Sequence, residues 1–209
     1  MAEDKSKIEL DAVAAEVVVC PKCELSRSRT HAVPGDGNPH ARTMLIGEGP
    51  GWHEDQQGLP FVGNAGKFLN ELLEIGGLKR EDVFITNVVK CRPPGNRDPM
   101  PDEIAACAPY LERQIAAIDP DVIVTLGRFS MSRWFPGERI SKIHGQPKRV
   151  EGRLVVPMYH PAAALHQAAL RSAIEEDFKK LPKWLAEATR DREITEKADE
   201  PPASQMSMF

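Results

Sequence analysis

The sequence lacks several features that would place it in large functional classes. Its 209 residues contain no stretch near the roughly twenty apolar residues of a membrane span, and its N-terminus is charged where a signal peptide needs apolar residues. Aromatic residues make up only 6%, and the net charge of −4 is not the positive excess of a bulk polyanion binder. We therefore expect a cytoplasmic monomer without membrane association, in which any phosphate contacts come from a local patch.

Cysteine is scarce, and its spacing is informative. Cys20 and Cys23 form a C-x2-C pair, and Cys91 and Cys107 follow far along the chain. A set of four with one tight pair is typical of four thiolates around one metal centre. Zinc and an iron–sulfur cluster both accept four thiolates, so the spacing leaves both open. A disulfide is disfavoured, because nothing indicates an oxidising compartment.

Short runs of β-branched and apolar residues alternate with helical patterns along the chain. This alternation predicts an α/β fold with a parallel sheet that is covered on both faces. The predicted strands span residues 44–46, 83–89, 122–127 and 154–159. The predicted helices span residues 6–18, 67–75 and 101–117, with another after residue 127.

Polar residues stand where the predicted strands end, namely Glu48, Asn87 and His160. The carboxyl ends of parallel strands share one edge of the sheet, where ligands bind. Asn87 interrupts an apolar strand, and a buried amide must either bond to backbone or contact a ligand. His160 is consistent with a structural or a functional histidine.

Two glycine-containing segments precede and follow a short polar stretch. Gly47, Gly49 and Gly51 lack the Gly-Lys-Ser/Thr of a phosphate loop, and Pro50 removes an amide that such a loop would use. The glycines either form a turn or let the backbone approach a flat ligand. Phe61, on a Gly/Pro loop, either packs in the core or stacks on a base.

Four motifs in order carry a resemblance. GEGPG (47–51), GLPFVG (58–63), TNVVKCRPP (86–94) and HPAAAL (160–165) resemble the signature set of the uracil-DNA glycosylase superfamily, and with the four cysteines its iron–sulfur family 4. The resemblance implies a three-layer α/β/α sandwich with a central four-stranded parallel sheet, and a [4Fe–4S] cluster. It also implies a monofunctional DNA glycosylase that flips deoxyuridine out of DNA and hydrolyses its N-glycosidic bond, initiating base excision repair. The cluster ligands would be Cys20, Cys23, Cys91 and Cys107.

The resemblance assigns roles to the residues at the strand ends. Phe61 would stack on uracil, with the backbone at Gly49 as a further donor to the base. The Asn87 amide would donate to O4 and accept from N3–H, and His160 would stabilise negative charge on O2. Glu48 would position water and offset positive charge on the sugar, because Gly49 stands where family 1 has its aspartate base.

Contacts outside the base pocket are also implied. Leu165 would enter the minor groove, and Arg92 would contact a phosphate. Glu54 is a candidate for excluding thymine, because Gly51 replaces the tyrosine of family 1. Further candidates for phosphate contacts are Lys67, Arg97 and Arg171.

The chain divides into a glycosylase domain, residues 1–187, and a charged tail, residues 188–209, that we expect to be disordered. The tail ends in Gln205–Phe209, QMSMF, which resembles the peptide that docks bacterial proteins on the replicative sliding clamp. This implies a bacterial enzyme that acts near the nucleoid during repair.

Two alternatives remain. One is the branch of the superfamily that cross-links to uracil-DNA through a histidine in an inserted basic loop; residues 88–103 are short and contain no histidine. The other is a non-catalytic iron–sulfur protein that binds nucleic acid or transfers electrons.

Overall fold

A computed structural model describes residues 4–199, so the predicted clamp peptide Gln205–Phe209 lies outside the described residues. The strands are β1 (Asp36–Gly37), β2 (Thr43–Gly47), β3 (Val83–Asn87), β4 (Val122–Leu126), β5 (Lys148–Val150) and β6 (Arg153–Met158). The helices are α1 (Lys5–Val19), α2 (Leu25–Ser28), α3 (Trp52–Gln57), α4 (Asn64–Ile75), α5 (Pro101–Ile118), α6 (Arg128–Ser132), α7 (Ile140–Ile143), α8 (Pro161–His166), α9 (Ala168–Phe178) and α10 (Leu181–Asp199).

The strands of the described region form one mixed sheet of six strands in the order β1-β3-β2-β4-β6-β5. The four central strands are parallel, and β1 and β5 pair antiparallel at the two edges. The predicted α/β class is confirmed, whereas the predicted number of four strands was too low. The two additional strands are only two and three residues long and mostly exposed, so they carry no apolar pattern.

Helices cover both faces of the sheet. Every residue of β2, β3 and β4 is buried, which is why these strands read as continuous apolar runs. Met44 and Ile46 belong to the core beneath α1 and α5, whereas Leu45 belongs to the core beneath α4, α9 and α10. This alternation gives three layers. No helix in residues 4–199 has both the length and the apolar character needed to cross a bilayer.

Ion pairs attach the N-terminal helix to the core. Arg113 of α5 binds Glu9 at 2.6 Å and Glu16 at 2.8 Å, both on α1. Cys20 follows α1 directly, and Cys107 lies within α5. The packing of these two helices therefore brings the N-terminal cysteine pair towards Cys107.

The expected disorder from residue 188 is wrong for residues 188–199, which continue α10. Ala188 is buried in the core, and Arg192 binds Asp121 at 2.8 Å and Asp119 at 3.1 Å. The polar composition suggested a tail, but these carboxylates lie more than sixty residues away in sequence. Sequence proximity alone could not reveal this pairing.

Candidate active site

The carboxyl ends of the central strands surround a cavity of about 340 Å³, a size ordinary for a small-molecule site. It lies at the switch point of the sheet, where the chain moves from one side of β2 to the other. The predicted base-contacting and catalytic residues all line it: Glu48, Gly49, Phe61, Asn87 and His160.

Asn87 offers an unsatisfied amide to this cavity. It ends β3, opposite Gly47 of β2, and its side-chain Oδ1 is buried without a hydrogen-bond partner in the described structure. A Cβ at Gly47 would lie 2.3 Å from that oxygen, so this position must be glycine. Buried polar groups are nearly always hydrogen-bonded, so a bound ligand is the natural partner of this amide.

Phe61 is held in a strained backbone conformation beside Asn87, with φ of 51°. Glu54 Oε1 accepts from the amides of Val62 at 2.9 Å and Gly63 at 3.0 Å. Arg80 donates to the carbonyl of Phe61 at 3.2 Å, and also to that of Pro60. These contacts hold the Phe61 loop in place. No sequence motif indicated that Arg80 would contact this loop.

The His160 imidazole stacks on Phe61, with ring centroids 5.4 Å apart and planes 24° from parallel. Its Nδ1 accepts from the main-chain amide of Ala162 at 3.1 Å. Burial lowers the pKa of His160 to about 4, with Glu54 as a weaker opposing influence. The ring is therefore neutral at physiological pH, and its proton resides on Nε2.

Glu48 is a half-buried carboxylate between the ends of β2 and β4. Its Oε1 accepts from the amide of Phe129 at 3.1 Å. Burial raises the pKa of Glu48, although hydrogen bonds from the backbone of Phe129 and Arg128 oppose this rise. Gly127 has φ of +102°, and a Cβ there would lie 2.4 Å from Glu48 Oε1. The carboxylate is thus fixed in place before any ligand arrives.

Of the predicted DNA contacts, Leu165 and Arg92 lie outside the cavity lining. Leu165 is 48% exposed on α8, the helix that follows His160. Arg92 donates to Asn96 at 2.7 Å, and Asn96 itself lines the cavity. Arg97 also lines it and binds Glu103 at 2.6 Å. Arg171, in contrast, is engaged by Glu71 and Glu175, both at 2.8 Å.

The four predicted metal ligands line a second, smaller cavity. Arg29 donates to Cys91 Sγ at 3.1 Å, and the main-chain amide of Lys90 donates to Cys107 Sγ at 3.3 Å. Burial raises the pKa of Cys107 to about 11, and it raises that of Cys91 as well. No three metal-binding side chains within residues 4–199 form a group compact enough for a single metal ion.

Comparison with known proteins identifies the family. The sequence model of the uracil DNA glycosylase superfamily matches residues 34–187. The chain belongs to this superfamily. It is 54% identical over 182 residues to the type-4 uracil-DNA glycosylase of Sulfurisphaera tokodaii, covering 82% of this chain and 83% of that protein.

Two further relatives of the same name extend the comparison. The type-4 uracil-DNA glycosylase of Saccharolobus solfataricus is 54% identical over 187 residues, covering 85% of this chain and 87% of that protein. That of Thermotoga maritima is 44% identical over 181 residues, covering 84% and 94%. The superfamily membership inferred from four short motifs is thereby confirmed over most of the chain.

Within this superfamily member, the structure shows contacts that the motifs did not predict. Arg80 and Glu54 act on the Phe61 loop, and Gly127 makes room for Glu48. A glycine at the end of a predicted strand was the available sequence signal for Gly127, and the structure shows its positive φ. Nothing in the local sequence indicated Arg80, because it reaches back nearly twenty residues to its acceptors.

Proposed function

We propose that the protein is a uracil-DNA glycosylase that binds an extruded deoxyuridine, hydrolyses its N-glycosidic bond and releases uracil. One observation carries this proposal: the unpaired Asn87 amide and the neutral His160 imidazole line one cavity beside the Phe61 ring. The same chain is 54% identical to proteins named type-4 uracil-DNA glycosylase. The reaction would start base excision repair.

Selection of uracil would depend on the polarity of Asn87. The amide NH₂ donates to uracil O4, and the unpaired Oδ1 accepts from N3–H. Cytosine presents a donor and an acceptor in the opposite order, so both contacts would be mismatched. Sites built on such hydrogen bonds reject the wrong partner strongly, because their buried groups are left unpaired. Phe61 would stack on the same base.

Departure of uracil as an anion would be assisted by His160. Its neutral tautomer carries a proton on Nε2, so it can donate to O2 as negative charge develops there. A donor of this kind, fixed before reaction, contributes roughly 2.7–4 kcal/mol to transition-state stabilisation. The main-chain amide of Gly49, which lines the cavity, would be an additional donor to the base.

Glu48 would act on the sugar side of the bond. A carboxylate suits an oxocarbenium-like transition state, because it offsets the positive charge and can orient the attacking water. The hydrogen bond from Phe129 holds one oxygen and leaves the other for this role. Glu54, our candidate for thymine exclusion, binds the amides of Val62 and Gly63 and lines the cavity, so it would act from a fixed position.

The four cysteines suit an iron–sulfur cluster. They line one cavity, and hydrogen bonds from Arg29 and Lys90 are directed at two of the sulfurs, as bound thiolates require. A tetrahedral zinc site would need sulfurs only about 3.8 Å apart, and a cubane accommodates a wider arrangement. When bound, the [4Fe–4S] cluster would act as a structural cross-link, because glycosidic hydrolysis needs no electron transfer. The ligands would be Cys20, Cys23, Cys91 and Cys107.

We also propose contacts with the DNA around the extruded base and with one partner protein. Leu165 projects from the helix after His160 and would fill the space left by the extruded base, whereas Arg92 would contact a phosphate. Gln205–Phe209 would dock on a sliding clamp in a bacterial cytoplasm. Binding of the isolated peptide QMSMF to a purified clamp tests that proposal, and no binding at high peptide concentration would contradict it.

The activity test is incubation with an oligonucleotide that contains one deoxyuridine, followed by alkali, beside a matched thymidine oligonucleotide. We expect strand cleavage only with deoxyuridine and only after alkali. An adduct resistant to denaturation would indicate the cross-linking branch instead. Intact DNA, with binding retained, would indicate a non-catalytic protein.

A further inference from the structure

Lys90 is a buried lysine, 1% exposed, between the two cavities. Its ammonium donates to Thr86 Oγ1 at 2.5 Å, to the main-chain oxygen of Asn87 at 2.8 Å and to Gln114 Oε1 at 2.7 Å. All three acceptors are neutral oxygens. A buried charge is costly unless a charge of opposite sign or a complete set of hydrogen bonds compensates it.

The same residue contacts the cysteine centre. Its main-chain amide donates to Cys107 Sγ at 3.3 Å, and it lines the cavity that the four cysteines share. Its successor in the chain is Cys91. Four thiolates make this cavity anionic when a metal centre is bound, which would give the buried ammonium a nearby opposite charge.

The other members of the network are anchored independently of Lys90. Thr86 Oγ1 donates to the carbonyl of Pro34 at 2.9 Å, and Gln114 Nε2 donates to the same oxygen at 2.7 Å. Lys90 therefore attaches the end of β3, where Asn87 lies, to a fixed platform between β3 and α5.

We propose that Lys90 is a positioning residue that couples the four-cysteine centre to uracil recognition. Its ammonium holds the carbonyl of Asn87 and its amide holds Cys107, so displacement of the centre displaces the Asn87 amide. Groups that recognise a ligand must be held within roughly 0.5 Å of their productive geometry. A small displacement of the Asn87 amide is therefore sufficient to weaken the recognition of uracil. This inference rests on the proposed function.

Lys90→Met in the full chain tests the coupling, because it removes the charge and the side-chain donors while keeping a similar length. The binding preference for 2′-fluorodeoxyuridine over deoxycytidine oligonucleotides would be measured by fluorescence anisotropy, alongside iron content and thermal stability. We expect this preference to fall tenfold or more. Lys183→Met, which changes an exposed lysine of α10, is the matched control and should keep the full preference.

A double-mutant cycle separates coupling from simple destabilisation. Cys107→Ser should lower the uracil preference of the wild type much more than that of Lys90→Met, because the connection is already broken in the variant. A wild-type preference in folded Lys90→Met, or an equal effect of Cys107→Ser in both backgrounds, overturns the proposal. If Lys90→Met does not fold, Gln114→Met replaces it; a loss of preference with iron retained supports the coupling, and an unchanged preference overturns it.

Uracil release by the wild type, assayed in parallel, distinguishes a failure of the proposed activity from a failure of the proposed coupling through Lys90. Failure to release uracil would reject the proposed activity, whereas the binding preference would still decide whether Lys90 positions Asn87.

Discussion

Replacing Asn87 by aspartate tests the recognition chemistry without changing the size of the side chain. The amide donates through its nitrogen and accepts through Oδ1, whose lack of a protein partner leaves it for the base. An ionised carboxylate only accepts. With uracil, the carboxylate would still accept from N3–H, but its other oxygen would face O4, which is also an acceptor. With cytosine, it would accept from the exocyclic amine, but its other oxygen would face the acceptor N3.

The magnitude follows from counting these contacts. In the wild type, uracil makes both hydrogen bonds and cytosine neither, and each unpaired buried polar group costs about 1–3 kcal/mol. The preference therefore amounts to about 2–6 kcal/mol, or roughly 30-fold to 20,000-fold. In Asn87→Asp each base would make one hydrogen bond and suffer one repulsion between acceptors. The ratio of uracil release to cytosine release should therefore approach one.

The assay measures release of uracil and of cytosine from otherwise identical single-stranded oligonucleotides at mildly alkaline pH. The pocket provides no donor to Oδ1, so burial should raise the pKa of the new carboxyl group. The neutral acid also has one donor and one acceptor, but either oxygen can carry the proton, so it can pair with uracil or with cytosine. Uracil preference should therefore stay weak as the pH is lowered, unlike that of the wild type. Asn38→Asp is the control for the same chemical change, because Asn38 lies beside Val83 at the opposite end of β3 and its Oδ1 only accepts from the main-chain amide of His40, at 2.8 Å. An undiminished uracil preference in Asn87→Asp at alkaline pH would refute the recognition scheme.

Four further outcomes follow from the site. Gly47→Ala should lower kcat/KM at least tenfold, because the new Cβ would lie 2.3 Å from Asn87 Oδ1. The circular dichroism spectrum should stay native. Full activity of this variant would show that the cavity around Asn87 adjusts to the added methyl group. The pKa of His160 is lowered from 6.5 to about 4, so the unfolded chain binds the proton first. Urea titrations should then show the free energy of unfolding falling by up to ~3 kcal/mol as the pH drops across that interval, a slope that His160→Gln should lack. Glu48→Gln should reduce kcat by about tenfold or more at saturating DNA, and an unchanged kcat would remove it from the mechanism. Cys107→Ala, or iron chelation, should lower the melting temperature together with the visible absorbance of the cluster; a colourless protein of full stability would exclude a structural centre.

Much of the site could be predicted because its residues stand at strand ends. Glu48, Asn87 and His160 were visible as polar residues that follow or end apolar runs, and parallel strands must bring such ends to one edge. The short edge strands β1 and β5 were not predictable, since they carry no alternation. The helical state of residues 188–199 was also missed, because it depends on Arg192 meeting carboxylates that precede β4.

The sequence by itself determined the α/β class, the order of the motifs and the four thiols, because these depend on periodicity and residue type. Only the tertiary structure decided which nitrogen of His160 carries the proton, how Arg80 restrains Phe61, and that Lys90 lies between the two cavities. Each of these depends on a hydrogen bond whose partner is set by packing. Local sequence carries no record of where such a partner will lie, because the fold brings the two groups together.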